Sequence, residues 1–88
     1  MKTVITSSQF RQHYKERVAK NEPLVKSFQA SLQTFLDDPA SVRVHALTDK
    51  MAGKFAFDVA LDCRVVFREN AEKVILVDIG THEQVYQR

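Results

Sequence analysis

The apolar residues of this chain change their spacing once, near Pro39, and that change restricts the folds open to it. Ahead of Pro39, Phe10, Tyr14 and Val18 recur every four residues, as do Leu24, Phe28 and Leu32 before Phe35 and Leu36. That is the period of amphipathic helices. Ser8 is the expected N-cap of the first, about Gln9 to Lys20. Asn21-Glu22-Pro23 interrupts it and restarts a second with Pro23 in its first turn, which Asp37-Asp38-Pro39 ends. So short a link predicts a helical hairpin. Beyond Pro39 the period becomes two: Phe55, Phe57, Val59 and Leu61 alternate with Ala56, Asp58, Ala60 and Asp62, as in a half-buried strand. Cys63 is placed in a tight turn, Arg64–Arg68 returns with Val65 and Phe67 inward, and Lys73–Ile79 is a third strand whose near-continuous apolar run predicts an interior position. With Val4-Ile5 as a short opening strand, the order is β-α-α-β-β-β. The expected class is α+β, a helical hairpin on one face of a small, mainly antiparallel sheet.

A length of 88 residues predicts one domain, residues 1–88, since domains run from roughly 50 to 250 residues. The longest aliphatic run, Val74–Val77, is far short of the roughly 18 residues of a membrane span. Residues 1–6 contain no apolar stretch suited to a signal peptide. Cys63 is the single cysteine, so no disulfide framework exists and a reducing cytoplasm is the expected compartment. The net charge is +2, but residues 1–26 hold six cations (Lys2, Arg11, Lys15, Arg17, Lys20, Lys26) against Glu16 and Glu22. Such a segment attracts polyanions or an acidic protein; a merely solubilising helix face is an equal reading.

Alternation along the strands predicts which side chains share the open face. If Val65 and Phe67 face the helices, Arg64 and Arg68 face away. If Ile75, Val77 and Ile79 point inward, Asp78 faces out, and two further steps past Gly80 bring His82 there too. Ala56 and Ala60 would leave a shallow floor. A guanidinium and an imidazole then overlook a flat surface.

Metal-free cleavage of a phosphodiester needs a base for the ribose 2′-OH, a cation on the non-bridging oxygens and an acid for the departing 5′-oxygen. Arg64 suits the cation, because its fork matches phosphate and keeps its proton. His82 suits the acid, and His45 is the candidate base. Tyr86 offers a ring for a base to stack on. Lys50 and Lys54 flank Gly53 and either touch phosphate or solvate a loop. Plainer readings stand beside these: a surface histidine for His82, cross-hairpin pairs of Arg64 and Arg68 with Asp58 or Glu69, a core-capping ring for Tyr86, a helix-surface residue for His13, an inert thiol for Cys63. No His-x-x-x-His or paired-cysteine spacing occurs, so no metal is expected. The phosphate-cradling glycine patterns are absent as well, so no cofactor is expected.

Taken together, His45-Ala46-Leu47, Gly53, Phe57-x-x-x-Leu61-Asp62-x-Arg64-Val65-Val66-Phe67 and Val77-Asp78-Ile79-Gly80-Thr81-His82-Glu83-Gln84-Val85-Tyr86 resemble the RelE/ParE superfamily of type II toxins over nearly the whole chain. Within it the chain is most similar to the YafQ-like ribonucleases. They have a histidine in an HxL segment (His45), an aspartate at the turn before the third strand (Asp62), and a histidine in a GTH segment followed four residues later by an aromatic (His82 and Tyr86). The resemblance implies a ribosome-dependent endoribonuclease that cuts mRNA in the A site of the 70S ribosome without metal, by 2′-OH attack, with an acidic antitoxin protein as partner covering basic surface such as Lys15 and Arg17. It places Asp62 among the catalytic residues, and it gives Lys50, Lys54, Arg64 and Arg68 as a partial echo of the basic cluster of RelE. The chain departs from the YafQ pattern where a further histidine is expected, offering Asp58 or Val59, and where a tryptophan is expected, offering Cys63. A ParE-like toxin that poisons gyrase by protein contacts, or a member that acts only by binding, is the alternative.

Overall fold

The computed structural model describes residues 2–47 and 51–86. Strand β1 (Thr3–Thr6) is followed by α1 (Ser8–Arg17), α2 (Glu22–Asp37), a single 3-10 turn (Pro39–Ser41), the short strand β2 (Val44–Ala46), β3 (Phe55–Ala60), β4 (Cys63–Glu69), β5 (Lys73–Gly80) and α3 (His82–Tyr86). The five strands form one sheet in the order β1-β5-β4-β3-β2. Only β1 and β5 run parallel; the other neighbouring pairs are antiparallel. The expected α+β class and β-α-α-β-β-β backbone hold, and β5 lies inside the sheet with β1 and β4 as neighbours. Three elements were not foreseen, the 3-10 turn, the edge strand β2 and helix α3.

Each helix begins where a side chain satisfies a free backbone N–H. The first N-cap is Ser7, whose hydroxyl accepts from the N–H of Phe10, not Ser8, which is already helical. Asn21 caps α2 by accepting from the N–H of Leu24. The hairpin is fastened by aromatic contacts: Phe28 of α2 lies 5.9 Å from Phe10 and 5.4 Å from Tyr14 of α1, centroid to centroid. Lower in the same core, Phe35 stacks 5.0 Å from Phe57 and meets Phe67 edge-on at 4.8 Å. Phe57 and Phe67 are completely buried. Such aromatic pairs add about 0.5–1.5 kcal/mol each beyond the area they hide.

Two β-bulges correct the simple alternation. Asp58 opposes Arg64 while Ala60 opposes Cys63, so Val59 is an extra residue in β3. Leu61 consequently leaves the core and is fully exposed. Cys63 is not in the turn: Leu61 and Asp62 make it, and Cys63 opens β4 as a buried residue. In β5, Phe67 opposes Leu76 and Val66 opposes Asp78, so Val77 is the extra residue. Val74 and Leu76, not Ile75 and Val77, therefore point to the helices. The bulge then resets the count, which leaves Ile79 inward and Asp78 beside Val66 on the other face.

That other face carries a second, smaller core. Ala56, Val66 and Val85 are buried there, with Leu47, Met51, Val77 and Tyr86 packed around them. The sheet is thus covered by α1 and α2 on one side and partly by α3 on the other. Among the described residues no helix is long and apolar enough to cross a membrane.

Candidate active site

His82 does not continue strand β5; it opens α3. The segment Thr81-His82-Glu83-Gln84 is a capping box. The Thr81 hydroxyl accepts from the N–H of Gln84 at 3.2 Å, and Gln84 Oε1 accepts from the N–H of Thr81 at 2.9 Å. The N–H of His82 donates to Asp62 Oδ1 at 3.3 Å, which ties the start of α3 to the β3–β4 turn. Five residues do not hold a helix by themselves; burial of Val85 against the sheet supplies the rest. Within α3, residues 82 and 86 are one turn apart and face the same way. Their rings meet edge-on with centroids 4.6 Å apart.

Both rings lean toward Arg64. One guanidinium nitrogen, Nη1, lies 3.1 Å from His82 Nδ1 and 3.3 Å from Tyr86 Oη, and its carbon sits 5.7 Å from the Tyr86 ring centroid. A guanidinium only donates, so Nδ1 of His82 accepts and the ring proton is on Nε2. Arg64 Nε stands 3.1 Å from Asp58 Oδ1, directly across the β3–β4 ladder. The Tyr86 hydroxyl above all, and then the carboxylates of Asp58 and Asp62, hold the guanidinium proton more firmly than usual.

His45 reaches the same group from the sheet edge. It opposes Ala56 in the β2–β3 ladder, and its Nε2 is 3.5 Å from Asp58 Oδ2. Neither His45 Nε2 nor Asp58 Oδ1, both buried atoms, has a hydrogen-bond partner; their neighbours are within ion-pair distance but not aligned. Buried polar atoms left in this condition are rare in folded proteins. His45, Asp58, Arg64, His82 and Tyr86 thus form one continuous chain of contacts across three strands and a helix.

The remaining sequence candidates fall elsewhere. Asp62 acts on His82 through the backbone bond already described. Arg68 is exposed, four residues along β4 from Arg64, which is about 13 Å at strand rise. Lys54 lines a separate shallow depression between α1 and α3, with His13, Asp78 and Gln84. Lys50 lies outside the described residues. Burial, reinforced by the charge of Asp62, raises the Cys63 thiol to about 11, so it stays protonated and is no nucleophile. His13 is not a plain surface residue: its Nδ1 lies 2.5 Å from Asp78 Oδ1. The cross-hairpin pairing of Arg64 with Asp58 that the sequence offered is present; that Asp58 also reaches His45 was not foreseen.

Residues 2–87 match the sequence model of a family described as "Bacterial toxin of type II toxin-antitoxin system, YafQ". The chain belongs to the YafQ family of type II toxins. The same fold is found in YafQ from E. coli strain BL21(DE3), at TM-score 0.81 and 16% identity over 98% of this chain and 99% of that one. The YoeB dimer of Staphylococcus aureus gives 0.75 and 15%, over 92% and 97%. The E. coli DinJ-YafQ complex gives 0.69 and 18%, over 98% and 99%. No curated protein matches the chain by sequence. The YafQ family lies within the RelE/ParE superfamily that the GTH segment and the D-x-R-V-V-F strand resemble.

Proposed function

We propose that this YafQ-family toxin is a metal-independent endoribonuclease that cuts mRNA in the A site of the 70S ribosome in the cytoplasm, and that a cognate acidic antitoxin holds it inactive. The observation that carries the reading is the convergence of Arg64, His82 and Tyr86 on one nitrogen's reach, with His45 and Asp58 beside them. Among the solved structures of the same fold is a DinJ-YafQ complex, which supports a protein partner. Of the two cations expected to meet an acidic chain, Lys15 is exposed on α1, as is Arg11, and these offer a complementary surface; Arg17 is half-buried and turned to Ile79 and Asp78 instead.

In this reading a backbone phosphate takes the place that the His82 and Tyr86 side chains now occupy around Arg64. The guanidinium moves to the non-bridging oxygens, where charge develops. Freed of Arg64, Nδ1 of His82 accepts a second proton, and the imidazolium delivers its Nε2 proton to the leaving 5′-oxygen. His45, backed by the Asp58 carboxylate, takes the proton of the 2′-OH. The 2′-oxygen bonds to phosphorus as the bond to the 5′-oxygen breaks, giving a 2′,3′-cyclic phosphate and a 5′-hydroxyl. Tyr86 stacks on a neighbouring base, Asp62 keeps His82 in place, and Arg68 and Lys54 hold message phosphates farther along.

The test is a pulse of expression followed by mapping of message ends, wild type beside His82→Ala. Cuts within translated codons that fall by two to four orders of magnitude in the variant, the usual worth of one placed acid, support the reading. Undiminished cuts in His82→Ala overturn it. Gyrase–DNA adducts without message cleavage would assign the chain to the gyrase-poisoning reading instead.

A further inference from the structure

Among the described residues, one charged side chain is buried away from the contacts around Arg64, at the far end of β5. Asp78 is 6% exposed. Its Oδ1 accepts from the N–H of Ile79 at 2.8 Å, pairs with His13 Nδ1 at 2.5 Å and lies 3.6 Å from Arg17 Nη1. The same Arg17 nitrogen donates to the carbonyl of Ile79 at 2.9 Å. Helix α1 therefore grips β5 through both side chain and main chain, just where the strand ends. Taking a carboxylate out of water for this purpose is unfavourable before its partners offset it. Apolar packing there would serve stability as well.

What this grip does follows from the next three residues. Gly80 lacks a Cβ, and one placed there would come 2.8 Å from Arg17 Nη1 and 2.6 Å from Gln84 Oε1. Arg17 and Gln84 thus press on one backbone point from opposite elements. Gln84 Oε1 is also the acceptor that closes the capping box on Thr81. The direction in which the chain leaves β5, and so the seat of α3, is fixed between them. Because α3 is a five-residue helix, it has no rigidity of its own with which to resist a change of that direction.

We infer that His13, Arg17 and Asp78 are positioning residues: two half-buried side chains of α1 closed on the buried carboxylate of β5, which set the exit of the chain at Ile79-Gly80-Thr81 and thereby hold the His82 ring against Arg64. The inference rests on reading Arg64 and His82 as the RNA-cutting pair. Displacement of a reacting group by about 1 Å is enough to cost about a hundredfold in rate, so a remote fastening is sufficient to matter.

The test uses the full chain with Arg17→Met, Arg17→Lys and His13→Leu, each measured in two ways. Cleavage of message on programmed ribosomes gives kcat and KM, and NMR of the imidazole nitrogens reports the His82 ring. Arg17→Met is expected to lower kcat at least tenfold with KM within twofold, to shift the His82 ring signals, and to have no added effect in a His82→Ala background. Arg17→Lys, which keeps a charge beside Asp78, recovers part of kcat. Unchanged kcat and ring signals overturn the inference. So does a deficit confined to KM, which would mean that α1 only touches RNA, or one that follows the unfolded fraction. Should wild type cut no RNA, the cleavage reading falls by itself, and the ring signals alone decide the positioning role. Should Arg17→Met not fold, His13→Leu carries the same readouts.

Discussion

Replacing Arg64 by lysine keeps the positive charge and removes the fork, which makes it the sharpest probe of the candidate site. In the free protein Nη1 of the guanidinium hydrogen-bonds His82 and Tyr86, while Nε stands at ion-pair distance from Asp58. A lysine ammonium is a single point on a flexible stem and serves one such partner well. On a phosphoryl group the fork makes two parallel charge-assisted bonds and lysine one. A hydrogen bond to a charged group is worth about 1.5–3 kcal/mol. At about 1.4 kcal/mol per tenfold, Arg64→Lys should slow cleavage by about 10–150-fold, and Arg64→Ala by about two to four orders of magnitude. Folding should barely change. The Arg64 and Asp58 side chains are 29% and 36% exposed, and pairs this open contribute about 0–1 kcal/mol. Single-turnover cleavage on programmed ribosomes gives the first number and a urea melt the second. Arg64→Lys within threefold of wild type in cleavage, or a rate loss that follows the loss of folded protein, would refute the assignment of Arg64 as the phosphate clamp.

Other consequences are equally direct. Tyr86→Phe keeps the stacking ring and should leave KM within about threefold, whereas Tyr86→Ala forfeits a contact of about 1–3 kcal/mol and should raise KM by about 5–150-fold in the same assay. Burial raises the Cys63 thiol from 9.0 to about 11, so the folded state keeps that proton more tightly than the unfolded chain does. The associated stability is complete below pH 9 and is lost as pH rises toward 11; wild type should lose on the order of 2 kcal/mol more than Cys63→Ala over that window in urea melts. Phe35→Ala removes the ring stacked on Phe57 and edge-on to Phe67 and should cost about 3–5 kcal/mol, read as a lower urea midpoint at unchanged slope.

The layout of the fold was legible because long periodic stretches left little choice. Phe10, Tyr14, Val18 and the Leu24–Leu36 face define two helices, and the Phe55–Leu61 and Arg64–Arg68 alternations define a hairpin. Local exceptions were less accessible. Val59 and Val77 read as ordinary strand residues, and nothing in a valine announces a bulge; the extra residue is fixed by how β4 packs against both neighbours. Leu61 was counted inward for that reason and is instead fully exposed. Strand β2 is three residues long and depends on pairing with β3, so its own propensity carried almost no signal. The N-cap moved by one residue because Ser7 and Ser8 are chemically alike.

The meeting of Arg64 with His82 was expected from the sequence by an incomplete route. Parity along β5 put His82 on the face of Arg64 by extending a strand past Gly80, yet the chain turns into a helix there. The information that decides it was local and chemical: Thr81-x-x-Gln84 is a capping box, and a box outcompetes strand continuation because it satisfies two backbone N–H groups that a frayed strand end would leave to water. Helix geometry then aligns residues 82 and 86 on one face, which strand alternation would also have done for the wrong reason. Val85 is the residue that separates the two cases. In a strand its side chain would stand opposite those of residues 82, 84 and 86 and could face away from the sheet. In α3 it is buried in one cluster with Ala56 and Val66, and that burial fixes the height of His82 and Tyr86 above Arg64. The chemistry-bearing residues are thus set by an apolar one that no chemical motif would single out.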